Sequence, residues 1–220
     1  MRGAQKELAR RTPSPASGAR ALIAACLALT LAACAKPAPP PAPVGADMSL
    51  GDPAAPVKVV EYASVACPVC GRWYRENFAA FKTRSIDSGK VYFTFREMLV
   101  GDATEQSMAA AGFLLARCAG REKYFAVVDA VFQNQDDIYN DPKAGLIKIA
   151  KAHGLDEAGF AACTNDAKAL QALNDRVQGY VTADHISATP TFFVNGKSLE
   201  PGYHTLPELD RAIDAARTGH

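Results

Sequence analysis

Apolar and β-branched residues run almost unbroken through VKVVEYASV, residues 57–65, directly behind Pro56. A short apolar run of this kind predicts a buried strand. The period then changes. Cys70, Tyr74, Phe78 and Phe81 follow at steps of four, four and three, while Arg72, Arg75, Lys82 and Arg84 lie mainly elsewhere. That spacing puts one apolar stripe on a helix. Pro68 marks the helix start, since proline suits the first helical position, and Asp87-Ser88-Gly89 breaks it. KVYFTFREM, residues 90–98, predicts a second strand. Strand, helix and strand with a right-handed crossover form a parallel pair.

From about Asp102 to Asp184 the pattern is helical throughout, with no internal repeat. TEQSMAAAGFLLARCAG is rich in alanine and leucine and ends on Gly120, and REKYFAVVDAVFQNQ sets Tyr124, Val127, Val128 and Val131 at helical spacing. DPKAGLIKIAKAHG begins at a proline and stops at Gly154, and LDEAGFAAC and DAKALQALNDRVQGYVTADH complete the block. Strand signals return at TFFV, residues 191–194. Asn195-Gly196 between this run and KSL is a strong hairpin signal. TLPELDRAIDAARTGH, with leucines and an isoleucine on one face, predicts a closing helix. The outline is an α/β sheet interrupted by a helical insertion at residues 102–184, its two parts lying at residues 47–101 and 185–220.

The first 33 residues follow another logic. ALIAACLALTLAAC, residues 21–34, is an apolar run of signal-peptide length behind a basic segment. It is too short to span a bilayer, which takes about 20 residues. Leu31-Ala32-Ala33-Cys34 resembles the lipobox of bacterial lipoproteins, which implies that residues 1–33 are removed and that Cys34 receives the lipid. Arg10-Arg11 lacks the rest of a twin-arginine signal. The same resemblance implies, from Ala35 after the cysteine where aspartate would signal retention, outer-membrane over inner-membrane sorting. AKPAPPPAPVGA, residues 35–46, is too rich in proline for helix or sheet. As polyproline II at about 3.1 Å per residue, it forms a tether that holds a domain up to roughly 35 Å from its anchor.

The formal net charge of +1 is shaped by that leader, which holds five basic residues and one acid. The remainder carries 19 basic and 22 acidic residues, a net charge near −3. Nothing here provides the clustered positive charge that nucleic-acid binding needs.

Six cysteines are present, of which Cys26 lies in the leader and Cys34 at its end. Cys67, Cys70, Cys118 and Cys163 remain, an even count that suits disulfides in an oxidising compartment. Counting alone leaves their pairing open. SVACPVCG, residues 64–71, allows three readings: a metal clip, a structural disulfide or a redox centre. Zinc needs two further ligands, and His153, His185 and His204 show no ligand spacing. A structural bridge across so short a loop removes little chain entropy. A redox centre fits the local pattern. With Pro68 as the first helical residue, Cys67 sits at the N-cap, where the amides of Val69 and Cys70 and the helix dipole favour its thiolate. Cys70, one turn in, begins the apolar stripe and is shielded. Cys67 is then the attacker and Cys70 resolves the mixed disulfide.

A strand carrying Glu61-Tyr62, then Cys67-Pro68-Val69-Cys70 on a helix start, a helical insertion and ATPTFFVNG (188–196) together resemble the DsbA-like thiol:disulfide oxidoreductases. The resemblance covers nearly everything from Met48 onward and implies a thioredoxin fold with an inserted helical subdomain. It implies that Pro190 is the cis-proline facing the active pair, with Thr189 beside it to dock substrate backbone. Glu61 matches the family's buried acid, able to take a proton from Cys70 and return it; its plain alternative is a surface acid at a strand end. Cys118 and Cys163 match a second disulfide of some members, structural in role or, alternatively, regulatory. Many such sequences have histidine where Val69 stands, and valine supplies only its amide, which implies a less oxidising disulfide. The implied function is an envelope oxidase acting on newly exported proteins and reoxidised by a DsbB-like membrane partner. Beyond the Cys67–Cys70 disulfide the family uses no cofactor and no metal. The expected form is a lipid-anchored, periplasm-facing monomer. Two alternatives stand beside it: a reductase or isomerase, and a peptide-binding or chaperone module in which Trp73 and Tyr74 contact peptide, although the helix stripe makes core packing the better account of Tyr74. Isomerases of this group usually add an N-terminal dimerisation domain, for which residues 34–56 are too short and too proline-rich.

Overall fold

A computed structural model describes residues 47–219, so the expected signal peptide, the lipidation site Cys34 and the proline-rich tether lie outside the described residues. Five strands form one mixed sheet in the order β1-β3-β2-β4-β5. At its centre, β2 (Val57–Ala63) and β3 (Val91–Glu97) run parallel, and β4 (Thr191–Val194) pairs antiparallel with β2 on its other side. The edges are β1 (Met48–Leu50) against β3 and β5 (Lys197–Ser198) against β4. The parallel pair is closed by a helical stretch directly behind the CxxC. It consists of α1 (Pro68–Trp73), a π-helical turn (Tyr74–Phe78), α2 (Ala79–Phe81) and a second π-helical turn (Lys82–Ile86). All four residues of the apolar stripe are buried.

The aromatic core explains why that stretch stays docked on the sheet. Trp73 packs edge-on or tilted against Tyr74, Phe81 and Phe192, with ring centroids 4.9–5.9 Å apart. Tyr74 stacks between Phe78 and Phe132 at 4.4 and 4.1 Å. Such pairs add about 0.5–1.5 kcal/mol each beyond area burial.

Six helices follow β3: α3 (Ala103–Cys118), α4 (Tyr124–Gln133), α5 (Gln135–Asn140), α6 (Pro142–Ala152), α7 (Glu157–Thr164) and α8 (Ala167–Asp184). Asp102 and Glu105 close a capping box at the start of α3, and Asp141, Asp156 and Asp166 cap α6, α7 and α8. Each such cap contributes about 1 kcal/mol. Buried Glu97, at the end of β3, binds the block to the sheet. It accepts from Arg117 on α3 (2.6 Å), Arg176 on α8 (2.7 Å) and the Tyr124 hydroxyl on α4 (2.9 Å). The chain then returns through β4, turns at Asn195 and Gly196 (φ 46° and 78°) into β5, and ends in α9 (Leu206–Thr218). Two consecutive positive-φ residues make the tight turn whose twist suits a hairpin.

Three elements differ from the sequence expectation. Strand β1 gave no sequence signal, because three residues at a sheet edge carry no period. The apolar run 57–65 is strand only to Ala63; its last residues turn away to deliver Cys67 to the helix. The helix expected to run through Gln135 breaks at Asn134, and Gln135 opens a separate helix.

Candidate active site

Cys67 has extended backbone (φ −75°, ψ 120°) at the N-cap of α1, and its sulfur accepts the Cys70 N–H at 3.3 Å. The thiol reaches the Thr189 carbonyl oxygen at 3.5 Å, and the Thr189–Pro190 peptide is cis. Pro190 carbonyl oxygen accepts the Gly202 N–H at 2.8 Å, which fixes the loop that carries Thr189. The helix start thus faces the loop before β4 across one sulfur atom.

The two cysteines are unbonded and unequal: Cys67 is half-buried and Cys70 has no exposure. A hydrogen bond from the Cys70 thiol favours ionised Cys67 most; the Thr189 side chain and the amides of Cys70 and Val69 add to it, and burial opposes them. The balance lowers the Cys67 pKa from 9.0 to about 6. Burial pushes the Cys70 thiol well up, and the hydrogen bond it gives to Cys67 and the Cys67 charge push it further. At neutral pH one sulfur is ionised and presented while the other is protonated and covered.

Glu61 is fully buried in β2, which excludes the surface-acid alternative. Burial holds its carboxyl well above the usual range; the Tyr74 hydroxyl draws it back and the Cys67 charge raises it further. Neither Glu61 oxygen, nor Trp73 Nε1, nor the Tyr74 hydroxyl has a hydrogen-bond partner of normal geometry. Burial holds the Tyr74 hydroxyl well above its usual pKa, and the charges of Glu61 and Cys70 are among those that raise it further. Trp73 and Tyr74 are core residues with at most 1% exposure, and this removes them as peptide-contacting aromatics. The exposed apolar side chains near Cys67 are instead Val69 and Tyr139, each 41% exposed. Tyr139 donates to the Ala66 carbonyl oxygen, and its hydroxyl feels the Cys67 charge. Sequence reasoning missed Tyr139 and its neighbour Gln135, since neither belongs to a motif.

Cys118 and Cys163 are joined in a disulfide 45 residues apart in sequence, linking the end of α3 to α7. Among the described residues no three metal-ligating side chains come together, and no helix is long and apolar enough to cross a membrane.

A CxxC at a helix N-terminus, set against a cis-proline on a mixed sheet with a helical insertion, defines a thioredoxin-fold protein of the dithiol type. Comparison with known proteins gives the family. The thioredoxin family profile matches residues 44–215. The Wolbachia pipientis protein alpha-DsbA1 has a similar structure (29% identity, TM-score 0.70), with 80% of this chain and 94% of that one covered. A protein of Rickettsia typhi, provisionally named a protein-disulfide oxidoreductase, is 32% identical over 173 residues, 77% of this chain. The chain spans only 62% of that relative's length. BdbD of Bacillus subtilis shares the fold at 20% identity, with a TM-score of 0.68 and coverage of 79% and 94%. The chain belongs to the thioredoxin family and is DsbA-like in its fold and helical insertion.

Proposed function

We propose that the chain is a protein thiol:disulfide oxidoreductase that acts as an oxidase through Cys67 and Cys70. The observation that carries this reading is the inequality of the two sulfurs. A substrate thiolate attacks Sγ of Cys67 in the oxidised pair, forming a mixed disulfide and releasing Cys70 as a thiolate that takes up a proton. A second substrate thiolate then attacks the substrate sulfur of the mixed disulfide and releases Cys67 as a thiolate. The substrate dithiol loses two electrons, and the Cys67–Cys70 disulfide gains them. A well-stabilised leaving thiolate on Cys67 pulls both steps toward a reduced enzyme and an oxidised substrate.

Glu61 supplies the proton that Cys70 needs on release and takes it back on reoxidation. Thr189 and Pro190 dock the substrate backbone beside Cys67, and Val69 and Tyr139 meet its side chains. The Cys118–Cys163 disulfide is a staple within the insertion. The substrates are unfolded or newly exported proteins, and a DsbB-like membrane quinone oxidoreductase accepts the electrons. The lipobox-like Leu31-Ala32-Ala33-Cys34 and the tether behind it support an envelope location with a lipid anchor on Cys34. Residues 47–101 and 185–220 act as one thioredoxin unit, residues 102–184 as its insertion, and the chain works as a monomer.

The test mixes the oxidised protein with a dithiol peptide and counts thiols by mass after alkylation. One peptide disulfide should form for each Cys67–Cys70 pair reduced, and Cys67→Ser should form none. A peptide that stays reduced overturns the oxidase reading. Alkylation trapping in intact cells separates an oxidase, stored as the disulfide, from a reductase, stored as the dithiol.

A further inference from the structure

The loop that delivers Cys67 is held from outside the sheet. Gln135, the first residue of α5, has 3% exposure and uses its whole amide. Nε2 donates to the carbonyl oxygens of Val65 (2.8 Å) and Cys67 (3.0 Å), on the two sides of Ala66. Oε1 accepts Nη1 of Arg75 at 3.1 Å, and the same nitrogen donates to the Phe132 carbonyl oxygen at 2.7 Å. One side chain of the insertion therefore grips the chain before the nucleophile and the helix after it.

The fit against the helix is tight. A Cβ on Gly71 would lie 1.8 Å from Oε1 of Gln135 and 2.4 Å from its Cδ, so glycine is what lets the amide lie flat on α1. The Cys67 carbonyl oxygen also accepts the Gly71 N–H at 3.0 Å, the first hydrogen bond of the helix. Gln135 thus bonds to the same oxygen that closes the N-terminal turn. Tyr139, one turn along α5, adds the bond to the Ala66 carbonyl oxygen, so three consecutive carbonyls are held from the insertion.

We propose that Gln135 is a positioning residue, by which the helical insertion holds Cys67 at the N-cap of α1 with its sulfur toward the Cys70 amide. The inference rests on the proposed reading of Cys67 as the sulfur that exchanges with substrate. Its physical basis is that a cap bond depends on the extended backbone of the capping residue, which is held less firmly when the Val65 carbonyl loses its donor and the Cys67 carbonyl keeps only the Gly71 N–H. A buried Val65 carbonyl left without a donor also favours any loop movement that re-solvates it. Either movement carries the Cys67 sulfur away from the donors that stabilise its thiolate. The charged and titratable groups facing this grip are Arg75, Tyr139 and, behind Tyr139, Glu105.

The experiment titrates the Cys67 thiolate by its ultraviolet absorbance in the reduced full chain and in two variants. Gln135→Met keeps the length and removes both donors; Gly71→Ala keeps the glutamine and pushes its amide off the helix. Both should move the Cys67 midpoint upward from about 6, with a thiolate-to-thiol ratio lower by about tenfold per pKa unit. Loss of general stability alone would lower the unfolding midpoint and leave the titration in place. A folded Gln135→Met that titrates with the wild type overturns the inference. Should that variant not fold, Gly71→Ala decides by the same reading. Oxidation of a dithiol peptide, measured in parallel, separates the two claims. A wild type that oxidises peptide while variant and wild type titrate together sinks the inference alone. Shifted variants of a chain that never oxidises peptide sink the functional reading alone.

Discussion

The molecule carries two cysteine pairs, and the ends of helices on which they sit are opposite. Cys67 caps the N-terminus of α1, where amides point outward and the dipole is positive. Cys118 is the last residue of α3, and Cys163 is next to last in α7, at ends where carbonyls gather and the dipole is negative. The first location favours a thiolate and the second disfavours it. The first pair is three residues apart, so its disulfide constrains little chain, whereas the second closes a separation of 45 residues. Place on a helix and loop length therefore support the proposal that one pair does exchange chemistry and the other mechanical work. Cysteine count says neither.

Swapping the roles breaks the comparison most severely. Cys67→Ser should abolish peptide oxidation, while Cys118→Ala with Cys163→Ala should leave it within a few-fold of wild type. The double change should instead lower stability by about 4 kcal/mol, the loop-entropy figure for a closed loop of this size. Urea unfolding of the oxidised proteins measures that loss. A wild-type stability together with lost exchange would give the second pair a redox role.

Val69 tests how far the N-cap can be strengthened. Val69→His should raise the reduction potential, because a partly charged imidazole beside Cys67 favours its thiolate more than an apolar side chain does. Each tenfold gain in the equilibrium constant is worth about 30 mV, read from a glutathione titration. An unchanged or lower potential contradicts the N-cap account.

The smallest effects come from pH. Cys67 has its pKa lowered, so its contribution to stability of the reduced chain is complete above 9.0 and disappears as pH falls through about 6. Glu61 has its pKa raised, so it acts in the other direction: it costs stability once pH climbs above 4.5, where the unfolded chain ionises and the folded chain does not. Glu61→Gln should abolish the second slope, leave the first, and slow the release of Cys70. Urea midpoints of the reduced proteins from pH 4 to 9 measure both slopes, and the oxidised protein should lack the Cys67 one.

The helix behind the CxxC was legible because its stripe has a period and its start has a proline, and the hairpin because Asn195-Gly196 names its own turn. The N-cap position of Cys67 was legible for the same local reason: an N-cap is defined by its immediate neighbours. Glu61 and Pro190 were reached only through resemblance, since a strand acid and an X-Pro bond look alike buried or exposed, cis or trans. Gln135 and Tyr139 left no trace, because their partners are backbone carbonyls some 70 residues away, and a carbonyl has no letter in the sequence. Trp73 was misleading in the opposite sense. It stands beside the motif in sequence, yet the helix turns it into the core.

The most direct test of the account is the alkylation of the four cysteines among the described residues against pH, read by mass on the protein with only the Cys67–Cys70 pair reduced. Cys67 should be modified with a midpoint near 6, Cys70 should stay protected through neutral pH, and Cys118 and Cys163 should remain bonded. A midpoint for Cys67 near 9, or modification of Cys70 before Cys67, would contradict it.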